Sequence, residues 1–430
     1  MSHSSSPGSR AGSAAAPVRH GRQRRSRSAI AVFKLTFGAI AVVALSATSI
    51  AAVAAWSTLS NVKPGIHLAH LNSAEAHLGV GAIGGEVNLL LAGTDTRTGQ
   101  AGFQNKADLA GSSGAGNNDV TMVLHISKDH SNATVISIPR DLLIPIPACP
   151  RANGGTIDGT SQAMFNTTLS RGGLACTVLT AESLTGLSIN YAAEISFDGV
   201  IGMSDAVGGV TVCIATPIND PYVGLDLPAG QQTLVGGTAL AFVRSRHGVA
   251  DGSDLARISN QQLFLSALTR KITSGGVLDN PLTLYNIANT ALKNMQLSDT
   301  LTQPTTMVAI ALALKGIPLA NIVFVQYPTK TNPAFPGRVV QEQPADSILS
   351  HALVADQPIL LTGQLGRAAV AAPAVATPTP SATPTSSAPK ATATPAPIHP
   401  STPSATVSPV ALPADVTGQS AAQQTCTKGR

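Results

Sequence analysis

At 430 residues the chain has room for one large domain with appendages, or for two. Only 11% of it is charged, and the formal charge of +5 is local: seven of the 27 basic residues lie between Arg10 and Lys34, leaving 20 against 22 acidic residues for the rest. A slightly acidic folded part excludes a nucleic-acid-binding domain, which would carry its own basic stripe.

A basic arm, 1–28, precedes an almost continuously apolar run, 29–56, in which Leu35 to Trp56 is long enough to span roughly 30 Å of hydrocarbon. The arginines before it predict a single-pass anchor in the cell membrane, with the N-terminus in the cytoplasm and everything after Trp56 outside. Small residues at Ala52, Ala54 and Ala55 fit the alternative of a cleaved signal peptide, although the run exceeds the ~7–15 residues of a usual signal core. The rest is exported on either reading.

Residues 57–85 read as a stalk and 86–356 as one mixed α/β domain, a central sheet flanked by helices. Val87 to Ala92, Val120 to Ile126 and Thr134 to Ile138 are short apolar runs bounded by turn residues, which predicts buried strands, the last two forming a hairpin. Thr98 to Asn117, rich in Gly, Ala and Ser, reads as a lid. Helices are expected at Ser161 to Ser170, Leu174 to Leu184, Asp198 to Val207 and Gly236 to Phe242, with strands at Asn190 to Phe197 and Val210 to Ile214. From Asp254, which suits an N-cap, Ile258, Phe264, Leu265, Leu268 and Ile272 recur at helical spacing. Helices at Leu282 to Met295 and Pro304 to Leu314 and a strand at Ile322 to Tyr327 complete the domain. Residues 357–415, dominated by Ala, Pro, Thr and Ser, read as a disordered linker, followed by a C-terminal segment, 416–430.

Four cysteines suit an oxidising compartment. Cys149 and Cys176 are placed to close one loop, and Cys213 and Cys426 to tie the chain's end to the core, although sequence alone allows three pairings.

The chemistry gathers at the ends of the apolar runs. Asp95, Arg97, Asp119, Arg140 and Asp141 all fall at expected strand ends, where an open sheet exposes its ligand sites. Arg244 and Arg246, two apart, would point the same way from an extended segment. Arg257 and Gln261 share a helix face one turn apart. Arginines supply forked donors for a diphosphate, and one or two carboxylates hold the Mg²⁺ that bridges its oxygens, so the set points to phosphoryl chemistry. No Gly-x-x-x-x-Gly-Lys, His-Glu-x-x-His or Gly-x-Ser-x-Gly motif is present. His247 reads as an exposed or supporting residue and His125 as a core histidine.

Leu91 to Arg97, Val135 to Asp141, Phe197-Asp198-Gly199, Gly208-Gly209-Val210, Gly224 to Gly230 and Ala241 to Gln262 together resemble the LytR-CpsA-Psr proteins in their actinobacterial form, over roughly 86–356. The resemblance implies an α-β-α domain outside the cytoplasmic membrane with an apolar channel for a polyprenyl chain. It also implies transfer of a glycopolymer with its phosphate from polyprenyl pyrophosphate to peptidoglycan, at the muramic acid C6 hydroxyl. Carried over by residue, it makes Asp95 and Asp119 ligands of Mg²⁺ (or Mn²⁺). Arg97, Arg140, Arg244, Arg246, Arg257 and Gln261 become the diphosphate contacts, and Asp254 an acidic residue of the catalytic set that orients Arg257 or assists at the site. A regulatory polyprenyl-phosphate-binding protein and a plain pyrophosphatase are the alternatives, and arabinogalactan, a capsular polysaccharide or a teichoic-type chain are the candidate polymers. Two positions depart from the family pattern: Asn117-Asn118 stands where many members have Arg-Ser, and Met164-Phe165-Asn166 where many have Lys-Ile-Asn.

Overall fold

Period-two burial along Val87–Thr94 sets the architecture. Leu90 and Ala92 face one hydrophobic core while Leu89 and Leu91 pack on another, so this strand is covered on both sides. The computed structural model describes residues 64–68, 83–100, 116–151, 154–274, 277, 281–373 and 408–430, all within one compact unit, Asn61–Arg430. The basic arm, the apolar run 29–56, most of the expected stalk and lid, and residues 374–407 of the expected linker lie outside the described residues. Among the described residues no helix is long and apolar enough to cross a membrane.

The main sheet has seven strands, numbered here in chain order: β1 (Val87–Thr94), β2 (Asn118–Ile126), β3 (Ala133–Ile138), β4 (Tyr191–Ile195), β5 (Met295–Leu297), β6 (Ile322–Gln326) and β7 (Gly418–Ser420). Their spatial order is β5-β4-β1-β2-β3-β6-β7. The expected β2–β3 hairpin is present, antiparallel from Thr121 opposite Ile138 to Ile126 opposite Ala133. Strand β1 runs antiparallel to β2 and parallel to β4, and β3 runs parallel to β6. The C-terminal ends of β1, β3, β4 and β6 and the start of β2 therefore share one edge of the sheet.

Helices α1 (Thr167–Thr185) and α7 (Ala345–Val354) cover one face, through Leu174, Val178, Leu349 and Leu353. On the other, α5 (Pro281–Asn294) and α6 (Pro304–Lys315) pack Ala291, Leu292, Ala309 and Ile310 against Val87, Ile126 and Phe324. A four-stranded sheet, Gly230–Leu234, Val210–Thr216, Thr425–Lys428 and Ala369–Ala371 in that order, forms a third core with α3 (Gly236–Arg244) and α4 (Asp254–Ser274) around Phe242 and Phe264. Each such fully buried large apolar side chain contributes about 1.5–3 kcal/mol. Helix α2 (Phe197–Ala206) begins at Ser196, whose side chain accepts from Gly199 N.

Three expectations need correction. Thr160–Met164 is a strand paired with Leu143–Ile146, and the helix begins only at Thr167. That helix breaks at Gly172 and Gly173, where a side chain on Gly172 would come within 3.0 Å of Cβ of both Cys149 and Cys176. Ser253, whose Oγ accepts from Ala256 N at 3.2 Å, caps α4, which leaves the Asp254 carboxylate for other partners. The domain also continues past Asp356. Ile359–Leu360 pairs with Val410–Ala411, Ala369–Ala371 with Thr425–Lys428, and β7 adds to the sheet edge beside β6. Edge strands need backbone partners more than apolar runs, so Ala- and Thr-rich segments fill these places without a hydrophobic signature. The cysteines pair as Cys149–Cys176 and Cys213–Cys426, with none free.

Candidate active site

Antiparallel pairing of β1 with β2 brings Asp95, just beyond β1, beside Asp119 at the start of β2. A bulge at Gly93/Thr94 ends the regular register there. Asp95 Oδ1 accepts from Asn117 N at 2.6 Å, and Asp95 N donates to Asn117 O at 3.0 Å. Asn118 is buried and its Oδ1 accepts from Thr168 Oγ1 and Leu169 N, so it anchors the start of α1. The backbone of Asn117 thus holds Asp95, and of the two departing side chains it is the Asn118 amide that holds α1. Asn166, which the family pattern shares, donates its backbone N to Arg140 O at 3.1 Å and braces the arginine turn after β3.

Asp95, Arg97, Asp119, Arg244, Arg257 and Gln261 line a single cavity of about 230 Å³ together with Phe197, Val223 and Leu240. Arg140 stands behind it, donating Nη1 to Asp119 Oδ1 at 2.9 Å. Arg257 donates Nη2 to Asp119 O at 2.7 Å and holds Nη1 3.7 Å from Asp119 Oδ2. The same Nη2 lies 2.7 Å from Asp254 Oδ1, an ion pair without hydrogen-bond geometry, and no hydrogen bond reaches either Asp254 oxygen among the described residues. Burial raises the Asp254 pKa above the usual carboxylate value, against the pull of Arg257 and Arg140. Asp141 bridges Arg140 Nε (3.5 Å) and Arg338 Nη1 (2.5 Å), which suits it to orienting Arg140.

Arg244 ends α3 with its guanidinium 4.3 Å from the Phe197 ring centroid. Burial lowers its pKa, and Arg97 and Arg257 lower it further, outweighing Asp119. Cations gathered this closely at a partly dry cavity give it a positive potential. Gln261 donates Nε2 to Val243 O at 2.9 Å and lines the same wall.

The structure does not bring Arg246 to this cavity. The Arg244–Arg246 segment is a helix end and a turn rather than extended chain, and Arg246 Nε donates to Gly252 O at 3.1 Å. Its turn is set by Asp220, which the sequence did not single out. Asp220 is fully buried; its Oδ2 accepts from Ser245 Oγ (2.8 Å), Arg246 N (3.0 Å) and Gly248 N (3.1 Å), and its Oδ1 from Tyr222 N (3.2 Å). Burial alone would raise the Asp220 pKa, but these donors, Ser245 foremost, hold it below the ordinary carboxylate value. With a depressed folded-state pKa, its stabilisation is complete above the unfolded value, about pH 4, and is lost as pH falls through the folded value. Asp220→Asn is therefore expected to be less stable than wild type at pH 7 and to converge on it in acid. Denaturant midpoints measured from pH 2 to 7 check this, and a constant gap across that range would contradict it.

The inner wall of the cavity opens on apolar space. Gly93, Val120, Ile195, Val200, Val243 and Gln261 also line a second cavity of about 260 Å³, completed by residues such as Met122, Val207, Phe264, Leu268 and Ile272. Leu91, Met203, Ile287 and Met295 continue it into a third, of about 230 Å³, toward α5 and α6. A larger cavity of about 550 Å³ lies around Asp346, but no arginine or lysine lines it and the carboxylate is already bound by Gln341, Gln343 and Ser347. His125 is the satisfied core histidine expected, within 2.7 Å of Asn88 Oδ1 and 3.1 Å of Asp356 Oδ1, with a pKa lowered by burial.

Asp95 and Asp119 have the chemistry to hold a metal. Two carboxylates at neighbouring strand ends fit a hard cation that takes phosphate and water oxygens for its other ligands. Among the described residues no cluster of three or more His, Cys, Asp or Glu forms a closed cage.

A family model of the LytR_cpsA_psr family matches residues 59–351. The chain belongs to the LytR_cpsA_psr family. Its relatives in this family include the cell wall biosynthesis protein LcpA of Corynebacterium glutamicum, 29% identical over 267 residues, covering 57% of this chain and 51% of the relative. Another is the polyisoprenyl-teichoic acid–peptidoglycan teichoic acid transferase TagU of Oceanobacillus iheyensis, 31% identical over 189 residues, covering 44% of this chain and 52% of the relative. The chain spans about half the length of these curated relatives. The fold is similar to that of a LytR-Csp2A-Psr enzyme from Actinomyces oris, with a TM-score of 0.50 and 22% identity over 69% of this chain and 95% of that one.

Proposed function

We propose that this protein transfers a glycopolymer, with its phosphate, from a polyprenyl-diphosphate carrier to a peptidoglycan hydroxyl, the muramic acid C6 oxygen. In this reading it is anchored in the cell membrane by the apolar run 29–56, with the site outside. The observation that carries the reading is the cationic cavity of Arg97, Arg244 and Arg257 sharing a wall with an apolar cavity. A lipid diphosphate has that same division into polyanion and hydrocarbon. Membership of the family, and relatives named for cell wall biosynthesis and teichoic acid transfer, support it.

The residues divide the work by position. Arg97, Arg244 and Arg257 meet the non-bridging oxygens, and the polyprenyl chain enters the apolar cavity. Arg140 and Arg257 hold the Asp119 carboxylate and backbone in place from behind. The acceptor oxygen bonds to the sugar-bearing phosphorus as the bond from that phosphorus to the bridging oxygen breaks. Polyprenyl phosphate leaves and the hydroxyl proton is released. A loose transition state asks for positioning and counter-charge more than for a strong base. A Mg²⁺ or Mn²⁺ held by Asp95 and Asp119 would supply further counter-charge to the diphosphate.

The test uses the full chain in detergent, a synthetic polyprenyl-diphosphate saccharide and a peptidoglycan fragment. A phosphodiester-linked conjugate is expected with Mg²⁺, absent with EDTA, and formed at least about 10²-fold more slowly by Arg244→Ala, the scale of losing one preorganised charge at a reacting centre. Release of phosphorylated saccharide without conjugate would replace transfer by hydrolysis. Metal-independent lipid binding without turnover would leave only a carrier-binding protein.

A further inference from the structure

An exposed aromatic pair next in the chain to a residue of the cavity wall plays no part in the chemistry above. Tyr222 lies in the turn between the paired strands Ile218–Asp220 and Leu225–Leu227, and is 77% exposed, the most of any large apolar side chain among the described residues. Its ring centroid is 4.3 Å from that of His247, which is also exposed, with the planes inclined by 35°. One exposed aromatic is ordinary; this pair is built. The buried Asp220 carboxylate takes the backbone N–H of Tyr222 on one oxygen, and those of Arg246 and Gly248, on either side of His247, on the other. A single anchor thus fixes the two backbone turns that carry these rings, which lowers the cost of ordering a binding surface there. Val223, the residue after Tyr222, lines the cationic cavity beside Arg244. Tyr222 is thus one residue along the chain from the cavity wall, on the side where a group attached to a bound diphosphate would extend.

We infer that Tyr222 and His247 form a stacking platform for the first sugar ring of the donor, the pyranose joined to the diphosphate. A pyranose has an apolar C–H face and a rim of hydroxyls. The electron-rich face of an aromatic ring attracts the C–H face and leaves the hydroxyls to water. The platform adds no charge of its own to the contact through Tyr222, so it selects a saccharide substituent over a bare phosphate terminus. The inference rests on the transferase reading for the position of the diphosphate.

The test is calorimetric binding by the full-length protein in detergent with Mg²⁺. Two probes are used, a short-chain polyprenyl diphosphate and the same lipid bearing one N-acetylglucosamine. Wild type is expected to bind the sugar-bearing lipid roughly tenfold more tightly, the scale of one good aromatic contact with its buried area. Tyr222→Ala should lose that gain and leave the Kd for the bare diphosphate unchanged, whereas Tyr222→Phe should retain it. No gain in wild type, a gain that survives Tyr222→Ala, or an equal loss for both lipids would overturn the platform and leave the donor site standing. Failure of wild type to bind either lipid would overturn the donor site, and the platform with it.

Discussion

Replacing Arg257 with alanine is expected to abolish transfer and to destabilise the fold, whereas Arg244→Ala should mainly lose activity. Both arginines line the cationic cavity, but they are held differently. Arg257 is 7% exposed and is engaged with Asp119 O, Asp119 Oδ2 and Asp254 Oδ1. Its removal leaves the Asp254 carboxylate buried with, among the described residues, only Arg140 Nε, 3.5 Å away, in direct ion-pair range. Stranding a buried charge in this way costs about 3–5 kcal/mol. Arg244 stacks on Phe197 and is surrounded by like charge, so its loss relieves repulsion as well as removing a contact. Chemical denaturation of the two variants beside transfer assays separates the effects. Equal stability of Arg257→Ala and Arg244→Ala would show that the Asp254 pair is not a buried pair in solution. A double variant, Asp254→Asn with Arg257→Ala, should recover part of the lost stability, because no uncompensated charge then remains.

The second large effect is expected from the pair Cys213→Ser and Cys426→Ser. This bond closes a loop of 213 residues and joins paired positions on the neighbouring strands Val210–Thr216 and Thr425–Lys428. Loss of a cross-link over so long a loop is expected to cost about 2–5 kcal/mol. Cys149 and Cys176 are separated by only 27 residues, so the chain-entropy contribution of their bond is smaller. Unfolding curves of the two double-serine variants, with the wild type in reductant as a reference, should rank them in that order. The reverse order would mean that the C-terminal strand is held by its backbone ladder and buried Thr425 and Thr427 alone.

Much of the site was legible because its residues close long apolar elements. Val87–Thr94, Asn118–Ile126 and Ala133–Ile138 have the β-branched and aliphatic runs of covered strands, so the placing of Asp95, Asp119 and Arg140 at one sheet edge follows from their ends. The pair Arg257 and Gln261 was legible for a similar reason, since helical spacing puts both on one face of α4, and both line the cavity. Asp220 was not legible. It lies in a three-residue strand, and three of its four donors come from residues 25 to 28 positions further on, two of them backbone amides without a side-chain signal. Arg246 was misplaced because an Arg-x-Arg pair shares a side only in extended chain, and here α3 runs through Arg244 before the chain turns. The last strands escaped because Ala369–Ala371 and Gly418–Ser420 take their structure from partners far away in the chain rather than from their own composition.

The return of the chain after residue 407 changes what the Pro- and Thr-rich segment can be. Ala369–Ala371 pairs with Thr425–Lys428, and Ile359–Leu360 pairs with Val410–Ala411, so residues 374–407 leave and re-enter the same body. Strands on both sides of this segment thus belong to one folded body. A break between those flanks would turn one polypeptide into two without separating them, because the Cys213–Cys426 bond and four β ladders still join the pieces. The strands Gly418–Ser420 and Thr425–Lys428 are therefore built into the folded body, and the covalent order of residues matters less there than the contacts that close it.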